Sequence, residues 1–425
     1  MSNAANNIPN RDQLHAAVQS FDRITIPFII AELLLGLYLV LYYFDLEFLG
    51  QEFALVILVI TLAVGEALLG LAHLAVERRV RFEDIKPQVM FGHYNRDRLV
   101  QLANQAFQSL TGAQRNVPFF LTRDKDLNAS AIAIGLKSLL PALNGVHINR
   151  AVLYHLTPQE LLYLMGHELG HLVKHHSLWE KLYLFHLLII ALISVALLQY
   201  FGGLAGYAPV VILGVLWSLH RLVNWPRNHF SSRIEYLCDE TGAQVAGYDA
   251  AIAALLKIGS AAEVQLSVLA EALRLKLSGV AVTTQQILDL YQQALPWGQV
   301  NEAESKKILR ALVKDRAEHG QISLRGFINH LFASDSADQR EALKAQLAEI
   351  TSTTNLARID LSPFISREGR VSNLQGLVEQ LKRDTESVLF RLPEESSGGD
   401  SHPSFRKRLL YLYENRAKLG ASSIR

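Results

Sequence analysis

The stretch Thr157-Pro158-Gln159-Glu160-Leu161-Leu162-Tyr163-Leu164-Met165-Gly166-His167-Glu168-Leu169-Gly170-His171 carries both a helix start and a metal-binding pattern. Thr157 is an N-cap residue, Pro158 suits the first helical position and Glu160 completes a capping box, so a helix begins here. Residues four apart on a helix differ by about 40° around its axis, so His167 and His171 project from one face with Glu168 beside them. Two such imidazoles can grip one metal ion. In this His-Glu-x-x-His pattern an open-site zinc polarises a water and lowers its pKa toward about 7, and the carboxylate takes the proton as the water attacks a carbonyl. The chain has 15 histidines, and a plain helix with two packed or exposed histidines is the competing reading. The capped start and a further candidate ligand favour the metal.

That candidate lies downstream, in Arg233-Ile234-Glu235-Tyr236-Leu237-Cys238-Asp239-Glu240. The segment reads as a helix with Glu235 and Asp239 on one face. One carboxylate can bind metal while the other hydrogen-bonds to a ligating histidine. Taken alone, the same run also reads as a solvated charged face. Gly242, Ala243, Ala246 and Gly247 add a small-residue side on which another helix can approach closely. The single cysteine, Cys238, excludes an intramolecular disulfide and a multi-cysteine cage, leaving histidines and carboxylates as ligands. Cys238 itself reads as a redox-sensitive or inhibitory thiol, or as a small packing residue.

Half of the 425 residues are apolar and 19% are charged, the mean hydropathy is +0.16, and the apolar residues gather in long runs, as in a membrane protein. The 41 basic and 40 acidic residues nearly cancel, so no strong field exists to gather nucleic acid or an acidic substrate. The runs are Ile24 to Tyr43, Phe53 to Leu74, Tyr183 to Phe201 and Tyr207 to Leu222. The first three can cross a hydrocarbon core of about 30 Å at about 1.5 Å per residue. The fourth ends in His220 and Arg221, but an arginine there can snorkel, and Trp217 and Trp225 suit the headgroup level. The runs pair as hairpins through the linkers Phe44 to Glu52 and Gly202 to Gly206. Neither linker holds Lys or Arg, whereas Arg78, Arg79, Arg81, Lys86, Lys174, Lys181, Arg221, Arg227 and Arg233 flank the opposite ends. The amino terminus, the middle region and the carboxyl-terminal part are therefore expected in the cytoplasm. The first run reads as a span and not a cleavable signal peptide, since a second run follows so closely. Glu32, Glu66 and His73 lie in or beside these runs, where a charge is costly; they are candidates for an ion pathway or for pairing within the bundle.

The expected organisation is residues 1–80 with the first hairpin, 81–177 with mixed helical and strand patterns around the His-Glu-x-x-His helix, 178–225 as the second hairpin, 226–258 as a helix introduced by Pro226 and Ser231-Ser232, 259–395 as an all-helical module, and 396–425 as a final segment. The module shows amphipathic spacing, as in Leu266, Leu269 and Leu273, punctuated by Gly279, Pro296 and Gly320.

Two spans, a His-Glu-x-x-His helix, two further spans and then Glu-x-x-x-Asp, in that order, resemble the HtpX-like integral-membrane zinc endopeptidases, relatives of the CAAX prenyl proteases. The resemblance takes in Asp126 to Ala131, similar to the family's strand ahead of the site, and Val146 to Glu168, similar to its edge strand and active helix. It implies a mainly α, polytopic membrane protein with four transmembrane helices and a cytoplasmic α+β gluzincin-like zinc-protease core plus a helical insert. It implies one Zn2+ on His167, His171 and Glu235, with Glu168 as general base; Asp239 is then the supporting carboxylate. An extended protein or peptide substrate is implied along an edge strand near Asn128 to Gly135 or His147 to Leu153, touching Asn128, Ala129 and Ala131. Ser401-His402-Pro403-Ser404 followed by Arg408 is similar to the family's Ser/Thr-His-Pro segment and later arginine, which implies that His402 and Arg408 help bind substrate or steady an oxyanion. The chain departs from the family in the length of its 259–390 module and in Cys238, where alanine is usual. His175 and His176 read as interfacial.

The expected function is a zinc endopeptidase at the cytoplasmic side of the cell inner (plasma) membrane, acting on membrane or membrane-associated proteins, as in quality control. The competing classes are a cation transporter or channel using Glu32, Glu66 and His73, and a catalytically silent membrane adaptor whose helical module binds a partner. The full ligand set with Glu168 argues against the adaptor, and so few intramembrane polar groups make a thin ion pathway.

Overall fold

The computed structural model describes residues 10–76, 79–123, 128–132, 144–175, 178–204, 206–259, 364, 371–383, 403 and 405–420. Asn10 caps helix α1 (Arg11–Tyr38) by accepting from the Asp12 backbone N–H, and the helix continues through a π-turn to Tyr43. A short α2 (Leu46–Gln51) turns the linker and α3 (Phe53–Val76) returns. The next stretch builds a mixed layer: β1 (Val80–Arg81), α4 (Arg96–Thr111), β2 (Phe119–Thr122), β3 (Ala129–Ile132), β4 (Gly145–Asn149), α5 (Val152–His155), α6 (Pro158–Leu169) and α7 (Leu178–Lys181). Then come α8 (Tyr183–Tyr200), α9 (Ala208–Ala246), α10 (248–259), α11 (Leu374–Arg383) and α12 (Phe405–Gly420).

By length and composition, Arg11–Tyr43, Tyr183–Tyr200 and Ala208–Ala246 are long and apolar enough to cross a membrane, while Phe53–Gly65 forms a shorter apolar stretch. Of the expected crossings, three meet that measure among the described residues. Val59, Leu187, Ile190, Ile212 and Leu216 bury against one another where α3, α8 and α9 meet. Inside this bundle Glu32 accepts a 2.7 Å hydrogen bond from His186 Nδ1, and His186 stacks on Trp179. Glu32 is thus a bundle partner and does not stand alone in the apolar layer. The side chains of Glu66 and His73 lie outside the described residues.

The expected helix start at Ser231-Ser232 does not exist. Helix α9 runs unbroken through Pro226 for 39 residues, about 58 Å at about 1.5 Å per residue, nearly twice an apolar core of about 30 Å. Its first half belongs to the apolar bundle and its second half to the domain beyond. Packing at both ends, Ile212, Leu216 and Val223 in one cluster and Tyr236, Leu237 and Ala243 in others, offsets the roughly 3 kcal/mol that an interior proline costs. The helix stops at Gly247, whose φ of +93° suits glycine.

The sheet order is β1-β2-β4-β3, with β2 and β4 parallel and the other pairs antiparallel. This corrects one expectation: β4 is an interior strand, so His147 to Leu153 offers no edge, and residues 152–155 are already helix α5. Val146 and Ile148 have no exposed surface and anchor β4 in the core, which is why it is paired on both sides. Strands β1 and β3 are the edges among the described strands, and β3 is the one beside α6. One apolar core joins Leu99 and Leu102 of α4, Leu161 and Met165 of α6, Leu255 of α10, Leu377 and Leu381 of α11, and Leu409 and Leu412 of α12. The expected module over 259–395 falls largely outside the described residues, but its part at 371–383 is built into this core.

Candidate active site

Thr157 and Glu160 form the reciprocal capping box that the sequence announces. Buried Lys257 of α10 adds a 2.7 Å ion pair to Glu160, fixing the start of α6. Helix α6 then crosses α9 at near-contact distance. A Cβ placed on Gly166 would lie 3.1 Å from Gly242 Cα, one on Gly242 would lie 2.7 Å from the Tyr163 carbonyl oxygen, and one on Gly170 would lie 3.1 Å from Cys238 Sγ. Cys238 has no exposed surface, and burial pushes its thiol well above the ordinary value. A protonated, enclosed thiol is a packing residue.

The helix does not stay regular. Residues Gly170–Lys174 form a π-turn, closed by the His175 N–H on the Gly170 carbonyl at 2.8 Å. Such turns widen a helix locally and recur at functional sites. His171 sits in this turn. It also carries His175 inward, where Nε2 lies 3.1 Å from Thr241 Oγ1 in a buried contact. The interfacial reading of His175 is therefore corrected; His176 lies outside the described residues.

The crossing brings three groups together. His167 Nε2 and His171 Nε2 are 3.3 Å apart. Glu235 Oε2 lies 3.4 Å from the first and Glu235 Oε1 lies 3.3 Å from the second. A tetrahedral zinc with bonds of about 2.0–2.1 Å has its ligand atoms about 3.3–3.4 Å apart. The donor set of two imidazoles and a carboxylate therefore fits a zinc ion in chemistry and in spacing, and among the described residues it is the group that could hold one.

Behind these three groups, Asp239 has no exposed surface. Its Oδ1 lies 2.9 Å from His167 Nδ1, accepts from the Tyr163 hydroxyl at 2.6 Å and from Arg408 Nη2 at 2.6 Å, while Oδ2 accepts from Arg408 Nε at 2.8 Å. Arg408 Nη1 also lies 3.2 Å from Glu235 Oε2. Burial raises the pKa of Asp239 and Glu235, but Arg408 and the histidines outweigh it and hold both below the carboxylate range. The solvated-face reading of this segment is excluded. Glu168 is also buried, and burial raises its pKa.

The family model described as peptidase family M48 matches residues 95–414. The chain belongs to peptidase family M48. That is the family of HtpX- and CAAX-protease-like zinc metalloproteases, so the resemblance read from the sequence is correct. No curated protein and no solved structure gives a match to the chain. The M48 match begins at Asn95, the cap of α4, and ends within α12, so it takes in every side chain of the cluster around His167.

Of the residues expected at the M48 site, His167, Glu168, His171, Glu235, Asp239 and Arg408 are brought together. His402 lies outside the described residues. Asn128, Ala129 and Ala131 fall on or beside the edge strand β3, which packs beside α6 and the π-turn. Tyr163 was missed, although its place four residues before His167, on the same helix face, is a signal the sequence contains. Tyr411, Glu240 and Arg11, which surround the far side of the cluster, leave no local signal.

Proposed function

We propose that the protein is a membrane-embedded zinc-dependent endopeptidase in which His167, His171 and Glu235 hold one Zn2+ and Glu168 is the general base. The observation that carries this reading is the triangle of ligand atoms with edges of 3.3–3.4 Å. A zinc ion held there supplies Lewis acidity, lowering the pKa of a water and polarising the scissile carbonyl. The rest is the work of side chains. Asp239 accepts from His167 Nδ1–H and so leaves the Nε2 lone pair facing Glu235. Tyr163 and Arg408 hold Asp239, and Arg408 restrains Glu235. On this reading Arg408 is a positioning residue, its guanidinium turned to those carboxylates. Glu168 takes a proton from the attacking water and returns it to the leaving amine, a task helped by a pKa raised toward the working pH.

An extended substrate pairs with the backbone of β3 near Asn128, Ala129 and Ala131, with His402 on the substrate side by the family's Ser/Thr-His-Pro pattern. Glu235 lies about 20 Å along α9 beyond the end of its apolar run at Leu222, at about 1.5 Å per residue, which supports membrane or membrane-associated proteins as substrates. Loosely folded segments lie down most easily as strands, and quality control in the cell inner membrane, with the site on the cytoplasmic side, is the matching role. The transporter reading is weakened because Glu32 is engaged by His186.

The test is purified full-length protein in detergent, assayed for zinc content and for cleavage of casein. Stoichiometric zinc, cleavage lost to a chelator and cleavage regained with added zinc are expected. Zinc-loaded protein that cleaves neither casein nor a membrane-protein fragment would sink the proposal.

A further inference from the structure

The residues of α1 ahead of the first span do not hang free. Arg11 Nε lies 3.1 and 3.0 Å from the two carboxylate oxygens of Glu240, and His15 Nε2 lies 3.7 Å from Oε2. Leu14 is buried against Tyr236, Leu237 and Tyr411. The Tyr411 hydroxyl donates to Glu240 Oε1, and the Tyr236 and Tyr411 rings pack at 4.8 Å. Glu240 is 2% exposed, and a carboxylate so enclosed depends on its partners. Asp239 and Glu240 are neighbours on α9, while Arg408 and Tyr411 are one turn apart on α12. Two adjacent polar clamps therefore hold α12 on α9. Arg408 with Asp239 is the inner one, and Tyr411 with Glu240, closed from outside by Arg11, is the outer one.

We infer that Arg11 is a positioning residue for the metal site: through Glu240 and Tyr411 it holds α12 in register, and so keeps Arg408 on Asp239 and Glu235. This rests on the peptidase reading for its kinetic part only. Helix α1 continues into the first membrane span, so the inference ties the geometry around His167 to the placement of that span. Removing Arg11 leaves Glu240 with weaker partners in a buried place. The outer clamp loosens, and the inner one loses its support.

The experiment compares wild type, Arg11→Ala, Arg11→Lys and Tyr411→Phe as full-length proteins in nanodiscs. It reads kcat and KM on a short peptide, the rate of zinc release to a chelator, and the unfolding midpoint. Losing a direct partner of a ligand typically costs about 10- to 100-fold, so a residue one step further out should cost about 3- to 10-fold. Arg11→Ala should lower kcat by that factor and speed zinc release by a similar one, with KM unchanged. Arg11→Lys should recover most of both, and Arg11→Ala should lower the midpoint only modestly, because His15 and the Tyr411 hydroxyl remain on Glu240 and the Arg11 side chain is 29% exposed. Tyr411→Phe keeps the ring and removes the donor, so it should shift kcat and zinc release in the same direction. Wild-type kcat and zinc release in Arg11→Ala would overturn the inference, as would a midpoint that falls in step with kcat in both Arg11 variants. Zinc release is read without catalysis, so a protein that binds zinc and cleaves nothing fails the peptidase reading while still deciding this one.

Discussion

Glu168 and Glu235 are both buried carboxylates beside the same pair of histidines, yet their surroundings assign them different work. Arg408 and the histidines offset the desolvation of Glu235 and keep it ionised, as its proposed role of ligand requires, whereas burial leaves Glu168 with a raised pKa, as suits its proposed role of proton carrier. Their substitutions should therefore separate. Glu168→Ala should retain stoichiometric zinc and lose cleavage by about 100-fold or more, the usual contribution of a general base. Glu235→Ala should lose zinc as well as activity, with partial rescue by excess metal. Asp239→Asn should fall between, at about 10- to 100-fold. Zinc content and cleavage measured on the same preparations check all three. Tightly bound zinc in Glu235→Ala would remove Glu235 from the ligand set.

At the scale of elements, the site depends on how closely α6 and α9 cross. His-Glu-x-x-His supplies two of the proposed ligands from α6, and the third proposed ligand reaches them because Gly166, Gly170 and Gly242 let the helices meet backbone to backbone. Gly242→Ala tests this contact. Its Cβ would meet the carbonyl oxygen and ring of Tyr163, neither of which can yield without moving α6. Overpacking of this kind costs about 1–3 kcal/mol. The variant should unfold at lower temperature and release zinc faster, because a forced separation also stretches Glu235 from His167. An unchanged midpoint and unchanged zinc release would show that the crossing has slack. The π-turn at Gly170–Lys174 belongs to the same scale. It changes the direction of His171 and turns His175 onto Thr241, and regular 3.6-residue periodicity does not reveal it.

For the whole molecule, α9 links the apolar bundle of candidate spans to the site as one helix, and α1 touches both regions. On the proposed reading, the excess of Lys and Arg at one set of helix ends is expected to leave the linkers 44–52 and 202–206 on the side away from the cytoplasm. A reporter in either linker should read as non-cytoplasmic and one after Arg425 as cytoplasmic; the reverse result would turn the site to the other side of the membrane. Leu377 and Leu381 share the core with Leu102 and Leu409, so residues 371–383 belong with the protease core, although the sequence groups them with the long helical stretch before them.

The sequence by itself determined what short-range physics controls. The capping box, the shared face of His167 and His171, the apolar runs and the charge bias at their ends are set by neighbours within a few turns, and all are readable without knowing where the chain goes. It also named the family, because a fixed order of such local signals is itself a pattern. The tertiary structure decided what depends on distant partners. Glu235 and Asp239 read equally well as a solvated face until α6 covers them. Pro226 reads as a boundary until packing on both sides carries α9 through it, and β4 reads as an edge until β3 pairs with its open side. Arg408 meets Asp239 across 169 residues of sequence and Arg11 meets Glu240 across 229. Burial is a property of the packed whole, so the partners that make a buried carboxylate tolerable cannot be read from the residues beside it.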